Sequence, residues 1–168
     1  MRAKFLIVMG VAGCGKSTVG ERLAVRLGWP FLEGDQLHPQ ENIEKMTHGV
    51  PLTDADRLPW LQAIAKRIAE WRDGGKSGVV SCSALRESYR KIITDGFPDV
   101  CFIYLRADQD LIAQRFAERR GHFMPTTLIA SQFETLEEPK PHENALILDV
   151  SEPVSILVEI VARAVADP

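Results

Sequence analysis

Eight consecutive residues, Gly10-Val11-Ala12-Gly13-Cys14-Gly15-Lys16-Ser17, fit the pattern G-x-x-x-x-G-K-[ST]. Glycines at this spacing let the backbone curl until successive N–H groups point inward at phosphate oxygens. A helix beginning directly afterwards adds the positive end of its dipole. Lys16 is then placed to bridge the β- and γ-phosphates of a nucleotide, and the Ser17 hydroxyl to ligate Mg²⁺. The pattern implies a bound nucleoside triphosphate, but motors, switches and kinases share it, so it leaves the reaction open.

The remaining polar residues narrow the reaction. The D-x-x-G and N-K-x-D motifs of GTPase switches are missing, and the expected third strand, 78–82, has no carboxylate at its end. The nearest suitable acid is Asp35, just after the expected second strand, at the carboxyl edge where open α/β sheets bind ligands. An acid there faces a substrate hydroxyl near the γ-phosphate and accepts its proton, which is the work of a small-molecule kinase. The other reading of Asp35 is a turn residue within Glu33-Gly34-Asp35.

Cations cluster in two places. Arg86 and Arg90 follow the third strand and stand at i and i+4 of a helix expected over 84–94, so they share a face and can fork onto one carboxylate; each also reads as a solvated surface charge. Arg115 and Arg119 are one helical turn apart, and Gly121 beyond them supplies a hinge. Arg119 is expected to close onto the transferring phosphoryl group and Arg115 to contact ATP. Arg57 is a third candidate for a substrate carboxylate, with Asp54 or Asp56 as its alternative partners. Lys45 contacts the substrate or solvates the surface. His38 is read as a substrate-side hydrogen-bonding group and His122 as part of a lid, since neither has metal-ligand spacing.

These residues need a scaffold that brings them to one edge. Short β-rich runs alternate with helical patterns, which argues for parallel βα units. Strands are expected at 4–9, 30–33, 78–82, 100–105 and 145–150. Helices are expected at 16–27, 40–46, from Thr53-Asp54-Ala55-Asp56 through Trp71, at 84–94, 109–119 and 153–165. Residues 120–141 break the rhythm and are read as an inserted mobile segment. The chain's 168 residues, 45% hydrophobic, suit one compact domain spanning 1–168. No apolar run approaches membrane-spanning length, and a net charge of -3 disfavours nucleic acid as a partner. Three unpaired cysteines, Cys14, Cys82 and Cys101, suit a reducing cytoplasm.

Longer stretches carry a family likeness. Gly34-Asp35-Gln36-Leu37-His38-Pro39, Asn42-Ile43-Glu44-Lys45-Met46 and Gly49-Val50-Pro51-Leu52-Thr53-Asp54-Ala55-Asp56-Arg57-Leu58-Pro59-Trp60-Leu61 resemble the gluconokinases. So do Ser81-Cys82-Ser83-Ala84-Leu85, Tyr89-Arg90, Arg119 with Gly121-His122-Phe123, and Ser131-Gln132-Phe133-Glu134-Thr135-Leu136-Glu137-Glu138-Pro139. The resemblance implies a three-layer α/β P-loop kinase fold: a five-stranded parallel sheet in order 2-3-1-4-5, helices on both faces, a substrate segment at about 36–60 and a lid at about 119–138. It also implies transfer of the ATP γ-phosphoryl to the 6-hydroxyl of D-gluconate, Mg²⁺ as the companion ion, and a homodimer. The alternatives are a shikimate-type or other small-molecule P-loop kinase and a non-catalytic ATP-binding module.

Overall fold

The computed structural model describes residues 4–119 and 126–167. Its centre is a five-stranded sheet in the order β2-β3-β1-β4-β5, with every neighbouring pair parallel. The strands are β1 (Phe5–Met9), β2 (Phe31–Glu33), β3 (Gly78–Ser81), β4 (Val100–Arg106) and β5 (Ala145–Asp149). Because all run the same way, all five carboxyl ends open on one edge. β1 is buried along its whole length, as an apolar run without alternation requires.

The period-2 geometry of β1 divides the core. Leu6 and Val8 point to one face, where they meet Val19 and Leu23 of α1 (Lys16–Leu27) and Leu157 and Val161 of α7 (Val154–Ala166). Ile112 of α5 (Gln109–Glu118) and Ile129 of α6 (Thr126–Thr135) extend that layer. Phe5, Ile7 and Met9 point to the other face and meet Trp60, Ile64 and Ile68 of α3 (Asp54–Asp73), together with Tyr89 and Ile93 of α4 (Glu87–Thr94). The short α2 (Gln40–Thr47) links β2 to α3.

Local chemistry sets the helix ends. Thr53 caps α3 by accepting from the Asp56 amide, and Asp56 accepts in return from the Thr53 amide, a reciprocal capping box. Pro59 lies inside α3, past its first turn, and the helix continues because its apolar stripe is buried on the sheet. Two expected elements differ. α4 starts at Glu87 rather than at residue 84, because Ala84 adopts a left-handed φ of 45° that a helix cannot include. Residues 126–135, expected to be part of an irregular insert, form α6, which places Ile129 in the core at 3% exposure.

Candidate active site

The phosphate loop runs from the end of β1 into α1. Gly15 makes this passage at a left-handed φ of 99°, a conformation that favours glycine. Its neighbours are held by side chains: Lys16 Nζ donates to Val11 O at 3.1 Å. Arg115, on α5, donates to Gly13 O and Cys14 O, each at 3.3 Å, and to Val150 O at 3.1 Å. Arg115 therefore ties the loop to the chain leaving β5. A cavity of about 480 Å³ opens beside this tie, lined by Gly15, Thr18, Arg115, Arg119, Val150 and Pro153 among others.

An acid that sequence reasoning passed over stands at the loop's mouth. Glu33, the last residue of β2, accepts from Ser17 Oγ at 2.5 Å through one carboxylate oxygen and from Ser81 Oγ through the other. The parallel register sets Glu33 beside Ser81, so the carboxylate spans from β3 to the loop. The signal for it was the position alone: an acid ending a strand at the ligand edge, overshadowed by Asp35 two residues later.

Asp35 sits in a 3-10 turn, Gly34–Leu37, and is exposed. The turn is pinned from below. Trp60 Nε1 donates to Gly34 O at 2.8 Å, and a β-carbon at Gly34 would lie 2.3 Å from Ser81 O, so no larger residue fits there. Trp60 is 3% exposed and serves the core, with the His38 ring stacked on it at 4.1 Å. Cys82, just past β3, senses the whole cluster: burial pushes its thiol up to about 12, with smaller contributions from the charges of Asp35, Lys16 and Glu33.

The residues expected on the substrate side have defined partners in the structure. His38 Nδ1 lies 3.2 Å from Asn42 Nδ2, and burial lowers the ring's pKa, so the imidazole is disposed to be neutral. Lys45 pairs with Asp56, which it holds at about 2 together with the Thr53 amide. Arg57 donates to Leu52 O at 2.8 Å and to the Tyr89 hydroxyl at 3.3 Å. Tyr89 donates to Asp54, and Arg86 lies 3.7 Å from the same carboxylate. Arg57 and Arg86 both stand near the Tyr89 ring, at 5.6 and 6.0 Å.

That arrangement corrects the expected arginine pair. Arg86 precedes α4 as its cap residue, so it does not share a helical face with Arg90. Arg90 is 1% exposed, makes a two-pronged ion pair with Glu143, and donates to Ala84 O at 2.8 Å. Burial works to raise the Glu143 carboxyl, but the hydrogen bonds from Arg90 and the Lys140 amide outweigh it and keep the group below its usual range. Arg90 braces the left-handed turn at Ala84 instead of reaching a ligand. Arg90→Ala is expected to cost about 3–5 kcal/mol, the penalty for leaving one buried charge without its partner, read by urea unfolding. Glu87, His142 and Glu143 bring ligand atoms within 4.8 Å of one another, yet Glu87 is engaged by Lys140 and Glu143 by Arg90. Arg119 ends α5 with an exposed side chain, and His122 lies outside the described residues.

A phosphate loop at the carboxyl edge of a 2-3-1-4-5 parallel sheet, faced by an acid after the second strand, defines a P-loop kinase. A family model described as an AAA domain matches residues 5–139. The thermoresistant gluconokinase of Escherichia coli is 44% identical over 153 residues, covering 90% of this chain and 87% of its own length. A crystal structure of a gluconokinase from Sinorhizobium meliloti superposes with a TM-score of 0.86 at 45% identity, covering 96% of this chain and 90% of that one. The chain belongs to the gluconokinase family. A shikimate kinase from Bacteroides thetaiotaomicron, at 15% identity and a TM-score of 0.67, shares the fold.

Proposed function

We propose that this protein phosphorylates D-gluconate at its 6-hydroxyl with ATP, giving 6-phospho-D-gluconate and ADP. The observation that carries this reading is Asp35 itself: an exposed carboxylate on a pinned turn just past β2, in a chain that also carries a complete phosphate loop and gathers Arg57 and Arg86 at Tyr89 and Asp54. A base together with cations for two anions is what a sugar-acid kinase must hold.

In the reaction, Asp35 accepts the proton of the 6-hydroxyl as its oxygen bonds to the γ-phosphorus. The bond from that phosphorus to the β,γ-bridging oxygen breaks, and the leaving electron pair stays on ADP. Lys16 and Arg119 offset the charge that spreads over the phosphoryl oxygens. The loop from Gly10 to Ser17 cradles the phosphates, and Arg115 keeps it in shape through its carbonyls. Ser17 and the Glu33 carboxylate form an all-oxygen corner that suits a hard divalent cation, so these two would hold Mg²⁺. When bound, Mg²⁺ neutralises charge on the β- and γ-phosphates. His38, Lys45, Arg57, Arg86 and His122 are assigned to the gluconate side, and residues 119–138 to a lid that excludes water. A single kinase domain, a homodimer and a cytoplasmic setting complete the reading. Among the described residues no helix is long and apolar enough to cross a membrane.

The test is an ADP-release assay over gluconate, other aldonates, shikimate and nucleoside monophosphates, with the product identified by mass and NMR. Turnover restricted to gluconate and close aldonates is expected; preference for shikimate or a nucleotide, or ATP binding without turnover, rejects the assignment. On the substrate side, Arg86→Met is expected to raise KM for gluconate about 10–100-fold, the worth of one lost hydrogen bond between charged groups, with KM for ATP unchanged.

A further inference from the structure

One contact reaches the phosphate loop from α6, the helix that also places Ile129 in the core. The Ala12 amide donates to Gln132 Oε1 at 2.7 Å, across 120 residues of sequence. Within the loop, Cys14 N and Lys16 Nζ both turn back onto Val11 O. Ala12, in contrast, aims its N–H at a side-chain oxygen from α6. Amides of such loops are anion donors, so Gln132 places a neutral oxygen where a phosphoryl oxygen belongs.

The choice of side chain is informative. A carboxylate at this position would repel the phosphates of ATP, and an apolar group would offer the Ala12 amide nothing. A carboxamide both accepts and donates. It can hold the loop amide through Oε1 and, after a rotation about its last torsion, present Nε2–H to an anionic oxygen. The backbone that carries it is fixed at close range. Ile129, one turn earlier, is buried in the core, and one turn later Leu136 N bonds to Gln132 O. Beyond it, Glu137 N donates to Leu85 O at 2.7 Å, and the Glu137 carboxylate accepts from Glu87 N at 2.9 Å. Arg106 and Tyr104, from the end of β4, both bond to Glu138. Such support on both sides is what a group needs to hold a reacting atom within a fraction of an ångström.

We propose that Gln132 is a phosphoryl-positioning residue: its carboxamide contacts the γ-phosphoryl group of bound ATP at the mouth of the loop and orients it for transfer. The proposal rests on the loop being an ATP site, and not on gluconate being the acceptor. It follows that Gln132 helps the protein tell ATP from ADP.

The experiment measures binding of Mg·ATP and Mg·ADP by calorimetry without acceptor, for wild type, Gln132→Ala and the near-isosteric Gln132→Met, together with unfolding temperature and turnover. Both variants are expected to bind ADP as wild type does, to lose about 10-fold or more in ATP affinity, as for a hydrogen bond to a charged group, and to lose turnover with KM for the acceptor unchanged. Gln132→Glu is expected to be worse than either, because it adds a negative charge beside the phosphates. Equal ATP-to-ADP preference in wild type and both variants overturns the proposal. So does a parallel fall in ATP and ADP affinity, which marks a mere prop for the loop. Because the nucleotide arm needs no acceptor, a wrong acceptor assignment leaves its result intact.

Discussion

Asp35→Asn is expected to lower the turnover of gluconate by about 10²–10⁴, the usual contribution of a positioned general base. Asparagine matches the size of aspartate and keeps an oxygen that can accept a hydrogen bond, but it cannot take the hydroxyl proton at neutral pH. The substitution leaves its surroundings alone. Asp35 is exposed, and the turn beneath it is held by the Trp60 bond to Gly34 O and by the close approach of Gly34 to Ser81, neither of which involves the Asp35 side chain. Calorimetric affinity for Mg·ATP and the unfolding temperature should therefore match wild type. A variant that keeps wild-type turnover would show that Asp35 is a turn residue only, and that the proton leaves by another route.

Arg119→Ala is the second large effect, about 10³–10⁵ in turnover, the range found for arginines that reach a transferring phosphoryl group. The two arginines at the end of α5 are not equivalent. Arg115 is committed to the carbonyls of Gly13, Cys14 and Val150, so its loss should weaken nucleotide binding through the shape of the loop. Arg119 is exposed at the helix end, beside the cavity that also touches Gly15. Its loss should leave ATP affinity within a few-fold and act on turnover. Arg119→Lys should recover a minor part, because an ammonium keeps the charge but lacks the planar fork that meets two oxygens at once. Unchanged turnover in Arg119→Ala, or an equal loss of ATP affinity, would remove Arg119 from the transferring group.

What could be read ahead of the structure depended on the range of the interactions involved. The phosphate loop, the strand-helix alternation, the α3 cap at Thr53 and the buried stripe of Trp60, Ile64 and Ile68 are all written within a few residues of chain. The features that escaped are long-range or break local rules. Arg90 looks like a surface cation until Glu143, 53 residues away, is folded against it. The left-handed conformation of Ala84 carries no glycine to announce it, so the periodicity alone starts α4 a turn early and puts Arg86 on the face of Arg90. Glu33 needed the register of β2 against β3 before its reach to Ser17 became visible. α6 has only a short apolar pattern, so nothing local marks its start.

The strand order has a consequence for how the chain acquires its activity. β1, which leads into the phosphate loop, is translated before the strands it pairs with, so one of its edges stays open until β3 is complete at residue 81 and the other until β4 is complete at residue 106. α1 then waits longer still for α7 to cover its apolar side. Pairings this distant make parallel sheets slow to form and leave intermediates open to aggregation. The phosphate loop is thus written in the first βα unit of the sheet, while the strands and helix that hold it in place come from much later in the sequence.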